Sequence, residues 1–89
     1  MANPIIVSCT VDTWVKVATN VTSGMIHKRT KKNSIYLQTY RETGDPAPTD
    51  INEGVELFIT SDSVGISSDT NIDVYIRCIG ETGSIRVDV

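Results

Sequence analysis

NIDVYIRCIG, residues 71–80, alternates apolar and polar side chains with the two-residue period of a β-strand. The alternation predicts one face on a core and one face largely toward water, with Ile72, Val74, Ile76 and Cys78 inward and Asp73, Tyr75, Arg77 and Ile79 outward. The turn residues ETG follow, and SIRVDV (84–89) repeats the pattern with Ile85, Val87 and Val89 inward and Arg86 and Asp88 outward. Together these stretches predict a β-hairpin at the end of the domain.

The same criteria predict five further strands upstream. Each is rich in β-branched or aromatic residues and is bounded by Gly, Asn, Asp, Pro or Ser. They are residues 5–9, 13–18, 24–28, 34–41 and 55–60. No window of a dozen residues keeps a helical period without a turn signal, so little or no helix is expected. The sequence therefore predicts one all-β domain over residues 1–89, a small antiparallel β-sandwich or barrel of about seven short strands.

Length and composition exclude several classes of protein. The chain has 89 residues and a net charge of −3, and it contains no apolar run near the roughly 18 residues that cross a bilayer. The first residues, MANPIIVSCTVD, lack the basic region and apolar core of a signal peptide. We therefore expect a protein that is made in the cytoplasm and has no membrane partner.

Cysteine and metal-ligand patterns are sparse. Cys9 and Cys78 could form a disulfide only if their strands lie side by side. The sequence allows either this disulfide or two free buried thiols. Two Cys and one His are too few for a structural zinc site. DTNID (69–73) matches the first three ligand spacings of a calcium loop, but Val74 stands at the glycine position and Gly80 at the glutamate position. We expect no metal and no cofactor.

His27 is the one candidate for a general base at neutral pH. Lys28 and Arg29 flank it, and their charge would lower its pKa. A loop position without an orienting carboxylate is expected for it, and the serines and acids show no spacing typical of a nucleophilic site. The sequence predicts a solvated histidine and no enzyme.

IHKRTKKN (26–33) holds half of the chain's Lys and Arg: Lys28, Arg29, Lys31 and Lys32. It is predicted at the tip of a hairpin between strands 24–28 and 34–41. The four cations could be a solvated guard against edge-to-edge aggregation, a surface that docks on an acidic protein, or a phosphate contact. Nucleic-acid domains are usually basic overall, so we expect a protein partner and no nucleic acid.

ETGDPAPTDINEG (42–54) is the second candidate binding segment. Pro46 and Pro48 favour extended backbone and remove two amide donors, and Asp45 precedes them. A loop of this length without repeating structure is more often functional than a plain connector. Asp45, Pro46 and Pro48 are therefore candidate partner-binding residues, with the four cations of 28–32.

WVKVATNVTSG (14–24), YRETGDPAPTDINEG (40–54) and the final VDV together resemble the small β-rich virion structural proteins of tailed bacteriophages. These include the decoration or cement proteins on the outside of the head. The resemblance extends from about Thr13 to Val89 and rests on general strand and turn patterns. Many cement proteins use a long N-terminal arm, whereas Met1–Pro4 alone precede the first predicted strand.

The resemblance implies a non-enzymatic protein present in many copies on the virion, often as a symmetric oligomer, and it carries over no catalytic residue. The expected partner is the major capsid protein or another virion protein, and a homo-oligomer, most simply a trimer, is expected. The alternative is a tail-associated or adhesin-like β-module that binds a host receptor or glycan.

Overall fold

A computed structural model describes residues 5–9, 11, 13–29, 35–50, 53–58 and 61–88. Antiparallel strands dominate this part of the chain, which confirms the predicted all-β class. The strands are β1 (Ile5–Cys9), β2 (Val15–Lys28), β3 (Ile35–Glu42), β4 (Val55–Leu57), β5 (Ser63–Ile79) and β6 (Gly83–Asp88). Within the described ranges no helix is long and apolar enough to span a membrane.

The six strands form a single sheet in the order β1-β6-β2-β5-β3-β4, curled into a half-barrel. Of the two predicted architectures, this is nearer to a barrel than to a sandwich. The strand count is lower than predicted because residues 15–18 of the predicted strand 13–18 and all of the predicted strand 24–28 belong to one long strand, β2. Its pairing with β5 shifts register between Lys16 and Ser23, and Asn20 adopts a positive φ of 56° there. These irregularities bend β2 instead of ending it.

Both predicted hairpins are wrong in their pairing. β6 lies between β1 and β2 and does not neighbour β5. β2 and β3 are likewise separated by β5, so these two strands do not pair as the predicted hairpin. Residues 30–33 of its predicted tip lie outside the described residues. Short turn signals predicted local pairing, but β2 and β5 are long enough to pair with each other, leaving β3 and β6 on opposite sides of them.

The inner face of the half-barrel carries the core. The residues predicted inward in 72–79 are buried, and Ile85 and Val87 are fully buried; Val89 lies outside the described residues. The prediction for the opposite face of β5 is wrong in part, because Asp73 and Tyr75 are only 3% and 4% exposed. Lys16 covers both: its Nζ lies 3.4 Å from Asp73 Oδ2 and 5.8 Å from the centre of the Tyr75 ring.

β5 begins nine residues earlier than the predicted strand 72–79, at Ser63. Asp69 and Asn71, residue types that favour turns, are exposed residues within this strand. Pairing of 63–67 with the second half of β2 holds the polar residues 67–71 extended, so tertiary pairing overrides their turn preference.

Candidate functional site

The predicted basic segment begins at the end of β2. His27 and Lys28 are the last residues of that strand, Arg29 follows it, and Lys31 and Lys32 lie outside the described residues. Lys28 Nζ lies 5.9 Å from the centre of the Tyr36 ring, within cation–π distance. Arg29 Nη1 donates a hydrogen bond to Ser84 Oγ over 3.2 Å. Arg29 is exposed, and Lys28 is half-buried.

His27 does have an orienting carboxylate, contrary to the expectation from sequence. Its Nδ1 lies 2.8 Å from Ser63 Oγ and its Nε2 lies 3.1 Å from Asp88 Oδ2. Arg86 Nε donates to the other Asp88 oxygen over 3.2 Å. The sequence missed this arrangement because Ser63, His27 and Asp88 meet only through the pairing of three strands.

The order Ser–His–Asp is that of a hydrolase triad, which also needs donors for the oxyanion and a cleft for the substrate. Here the three residues lie side by side on three paired strands, with Ser63 opposite His27 and Asp88 on the strand at the other side of β2. The two clefts described below are lined by other residues. We interpret the hydrogen bonds from His27 to Ser63 and Asp88 as a structural link that joins β2 to β5 and β6.

The described residues of the 42–54 segment, 42–50 and 53–54, pack back onto the outer face of the sheet. Trp14 Nε1 donates to the Asp50 carbonyl over 3.3 Å, and Arg41 pairs with Glu53 across the base of the segment. At Gly54, an added Cβ would lie 2.7 Å from Leu37 Cβ, so only glycine fits this approach. The segment is therefore held at both ends.

A cleft of about 380 Å³ opens within this segment, lined by Arg41, Asp45, Pro46, Ala47, Thr49, Asp50 and Glu53. Two of the predicted residues, Asp45 and Pro46, are exposed in it, whereas Pro48 is buried and does not line it. Three carboxylates against one guanidinium make the cleft acidic.

Of the predicted basic residues, Lys28 contacts Tyr36 near the start of β3, whereas the acidic cleft lies at the other end of that strand. Six residue steps, about 20 Å of extended strand, separate Tyr36 from Glu42. The structure therefore does not bring Lys28 to the acidic cleft.

A second, smaller cleft of about 260 Å³ lies at the β3–β4 end of the sheet, and sequence reasoning missed it. It is lined by Gln38, Thr39, Tyr40, Glu53 and Val55. Val55 is 69% exposed, and Tyr40 is 42% exposed. Gln38 is only 6% exposed, and its Nε2 has no hydrogen-bond partner. We name these five residues the Val55 cleft.

Asp73 is the most constrained carboxylate described. Its Oδ1 accepts the Asn20 backbone N–H over 3.0 Å and the Thr43 hydroxyl over 3.2 Å, and Lys16 is its ion-pair partner. The Asn20 N–H first, then Thr43 and Lys16, hold the pKa of Asp73 below its ordinary value, against the opposing effect of desolvation. The Asp73 carboxylate is thus bound by other residues of the protein, and it is not a free ligand for the calcium loop that the spacing of DTNID suggests. The described residues contain no group of three metal ligands.

Cys9 and Cys78 are free, fully buried and close enough to interact. Burial, with the neighbouring Cys78 as a second cause, raises the pKa of the Cys9 thiol to about 12. Burial also raises the pKa of Cys78. Both thiols therefore stay protonated and unreactive at neutral pH.

Comparison with protein-family models, with curated proteins and with solved structures yields no match to this chain.

Proposed function

We propose that this chain is a non-enzymatic structural protein of a tailed-phage virion, a decoration or cement protein that binds the outer capsid surface and stabilises the head. The observation that carries the proposal is the pair of open, apolar sheet edges. Within the described residues β1 pairs only with β6 and β4 only with β3. Ile5 and Ile6 on β1 are 45% and 55% exposed, and Val55 on β4 is 69% exposed.

Open apolar edges are a liability in a free protein, because unpaired backbone groups and exposed isoleucines promote aggregation. They are useful in a protein that works by assembly. A small module that binds the assembled shell but not its dissociated form stabilises the shell by mass action, and many weak contacts add up over a lattice. The small domain in turn gains buried apolar surface from its neighbours.

A second candidate function rests on the acidic cleft of the 42–54 segment. Asp45, Asp50 and Glu53 present carboxylate oxygens, which accept hydrogen bonds from sugar hydroxyl groups, and the cleft is open to solvent. This favours the tail-associated or adhesin-like alternative, in which the same module binds a host receptor or glycan.

The experiment is co-sedimentation of purified chain with DNA-free shells of the source phage at increasing salt. The proposal predicts saturable binding, weakened when Lys31 and Lys32 are both changed to Gln. Thr22→Glu with Thr70→Glu is the control: both positions are exposed on central strands, and the change in net charge is the same.

Two outcomes contradict the proposal. One is absence of shell binding at any salt concentration. The other is binding to free duplex DNA that falls steeply with salt and accounts for all particle association, which would make the cations a nucleic-acid contact. Binding to host glycans without shell binding would favour the second candidate.

A further inference from the structure

We propose that the Val55 cleft is the docking site for the β1 edge of a second copy of this chain, so that copies associate head to tail. The proposal rests on the assembly role proposed above and names the surface and the partner.

The Val55 cleft has the properties of an incomplete core. Gln38 is opposite Ile76, a fully buried core residue, and Val55 is opposite Gln38, so the side chains of all three lie on the inner face of the sheet. A mostly exposed valine at the open edge of this face leaves apolar surface in contact with water. An incoming strand beside β4 would cover it.

Gln38 gives the cleft a polar requirement as well. Its side chain is buried while its Nε2 lacks an acceptor, and buried amide donors are rarely left unpaired. An acceptor that the incoming segment brings over the inner face of the cleft would pair with this donor. The site therefore suits an apolar side chain carried on extended backbone.

The β1 edge offers that combination. Ile5 is opposite the core residue Val87, so it projects from the inner face, as Val55 does. Ile6 is opposite Arg86, which is exposed, and both project from the outer face. If β1 of one copy extends the sheet beyond β4 of another, Ile5 meets Val55 inside and the Ile6–Arg86 pair lies outside.

Charge favours the pairing of a β1 edge with a β4 edge over the pairing of two β4 edges. Glu56 on β4 is opposite Leu37 and projects from the outer face, on which Arg86 of the second copy would lie one strand beyond Ile6. Two β4 edges would bring acidic residues of both copies near one another, whereas β1 against β4 places Arg86 and Glu56 on the same face, within reach of their long side chains. The contact joins two different surfaces, so it closes into a ring or continues as a chain.

Mixed cross-linking tests the contact directly. Ile5→Cys and Val55→Cys are made in separate proteins that also carry Cys9→Ser and Cys78→Ser, and the two are mixed under mild oxidation. The proposal predicts disulfide dimers that contain one copy of each variant. Dimers only of Val55→Cys with itself, or no dimers at any concentration, would overturn it.

Light scattering and sedimentation equilibrium supply the second test, without Cys9 or Cys78 substitutions. Val55→Glu is expected to weaken self-association by at least about tenfold, whereas Met25→Glu, which alters an exposed apolar residue on the central strand β2, should leave it unchanged. Glu56→Arg and Arg86→Glu should each weaken it, and their combination should restore it. A strict monomer at high concentration and low salt refutes the inference.

The outcomes for the two proposals are separable. A chain that is monomeric in solution but binds shells keeps the decoration role and loses this contact. A chain that associates through β1 and β4 but never binds shells keeps the contact and loses the decoration role.

Discussion

The Tyr36 side chain of β3 occupies the space above Gly83 of β6 that any larger residue at position 83 would need. An added Cβ there would overlap the Tyr36 hydroxyl and lie 2.6 Å from Cζ. Phe58 packs edge-on against the same ring, with centroids 5.3 Å apart. Because β3 and β6 are not neighbours in the sheet, this contact crosses the inside of the half-barrel. It joins two strands that do not pair with each other in the sheet.

Gly83→Ala is therefore expected to destabilise the fold by roughly 1–3 kcal/mol, since a methyl group forced into a filled core shifts side chains off their rotamers. The measurement is urea unfolding. Gly65→Ala is the matched control on another strand: its added Cβ would meet only Met25 Sδ at 3.7 Å, an ordinary contact. Equal effects of the two substitutions would show that Tyr36 does not restrict the size of the residue at position 83.

Asp73→Asn is expected to lower the unfolding temperature clearly more than Asp69→Asn, which alters an exposed residue on the same strand. The amide loses the ion pair with Lys16, and either orientation of it turns the NH₂ group toward a donor: Lys16 on one side, or the Asn20 N–H and the Thr43 hydroxyl on the other. Thermal unfolding followed by circular dichroism compares them.

The pH dependence of the folding stability is expected to follow the direction of the Asp73 pKa shift. A folded-state pKa below the unfolded value of about 3.9 contributes stability above that value, and the contribution is lost as pH falls through the folded-state pKa. The wild type should therefore lose stability more steeply than Asp73→Asn below about pH 4. Parallel curves for the two proteins would contradict the shift.

His27→Ala is expected to destabilise the fold by about 1–2 kcal/mol, because hydrogen bonds to Ser63 and Asp88 are lost and Asp88 keeps only Arg86. Hydrolysis of an activated ester is measured in parallel. If Ser63→Ala abolished a measurable turnover while leaving stability intact, Ser63, His27 and Asp88 would be catalytic. Our interpretation of them as a structural link would then be wrong.

Thiol titration tests the state of the cysteines. Both Sγ atoms belong to fully buried residues with raised pKa values, so native protein should react slowly with a thiol reagent. In guanidinium without reductant, both cysteines should react at once. Absence of reactive thiols in the unfolded protein would show that Cys9 and Cys78 are paired.

The sequence predicted the parts of the fold that depend on local alternation. Residues 72–79 and 84–89 show which side chains face the core because each strand has one fully apolar face. Pairing was not predictable in the same way. The hairpin expected from ETG does not form because β2 competes for β6 through residues 25–28, which lie far away in the chain.

The same distinction between local signals and contacts across strands applies to the candidate site. Asp45 and Pro46 were predicted as partner-binding residues because a proline-containing loop of that length is a local signal. Both line the acidic cleft, and their binding role stays a prediction. The setting of His27 and the burial of Asp73 were not predictable, because each depends on partners from other strands. The Val55 cleft was not predictable because the sequence does not show whether a valine in a strand is exposed or buried.

The central claim is that this chain is a capsid-bound structural protein, and cryo-electron microscopy of the source particle tests it most directly. The proposal predicts density for a small six-stranded half-barrel, repeated over the outer surface of the head lattice. A particle whose head surface carries no such density, with the chain found only in the tail or absent from the virion, would contradict it.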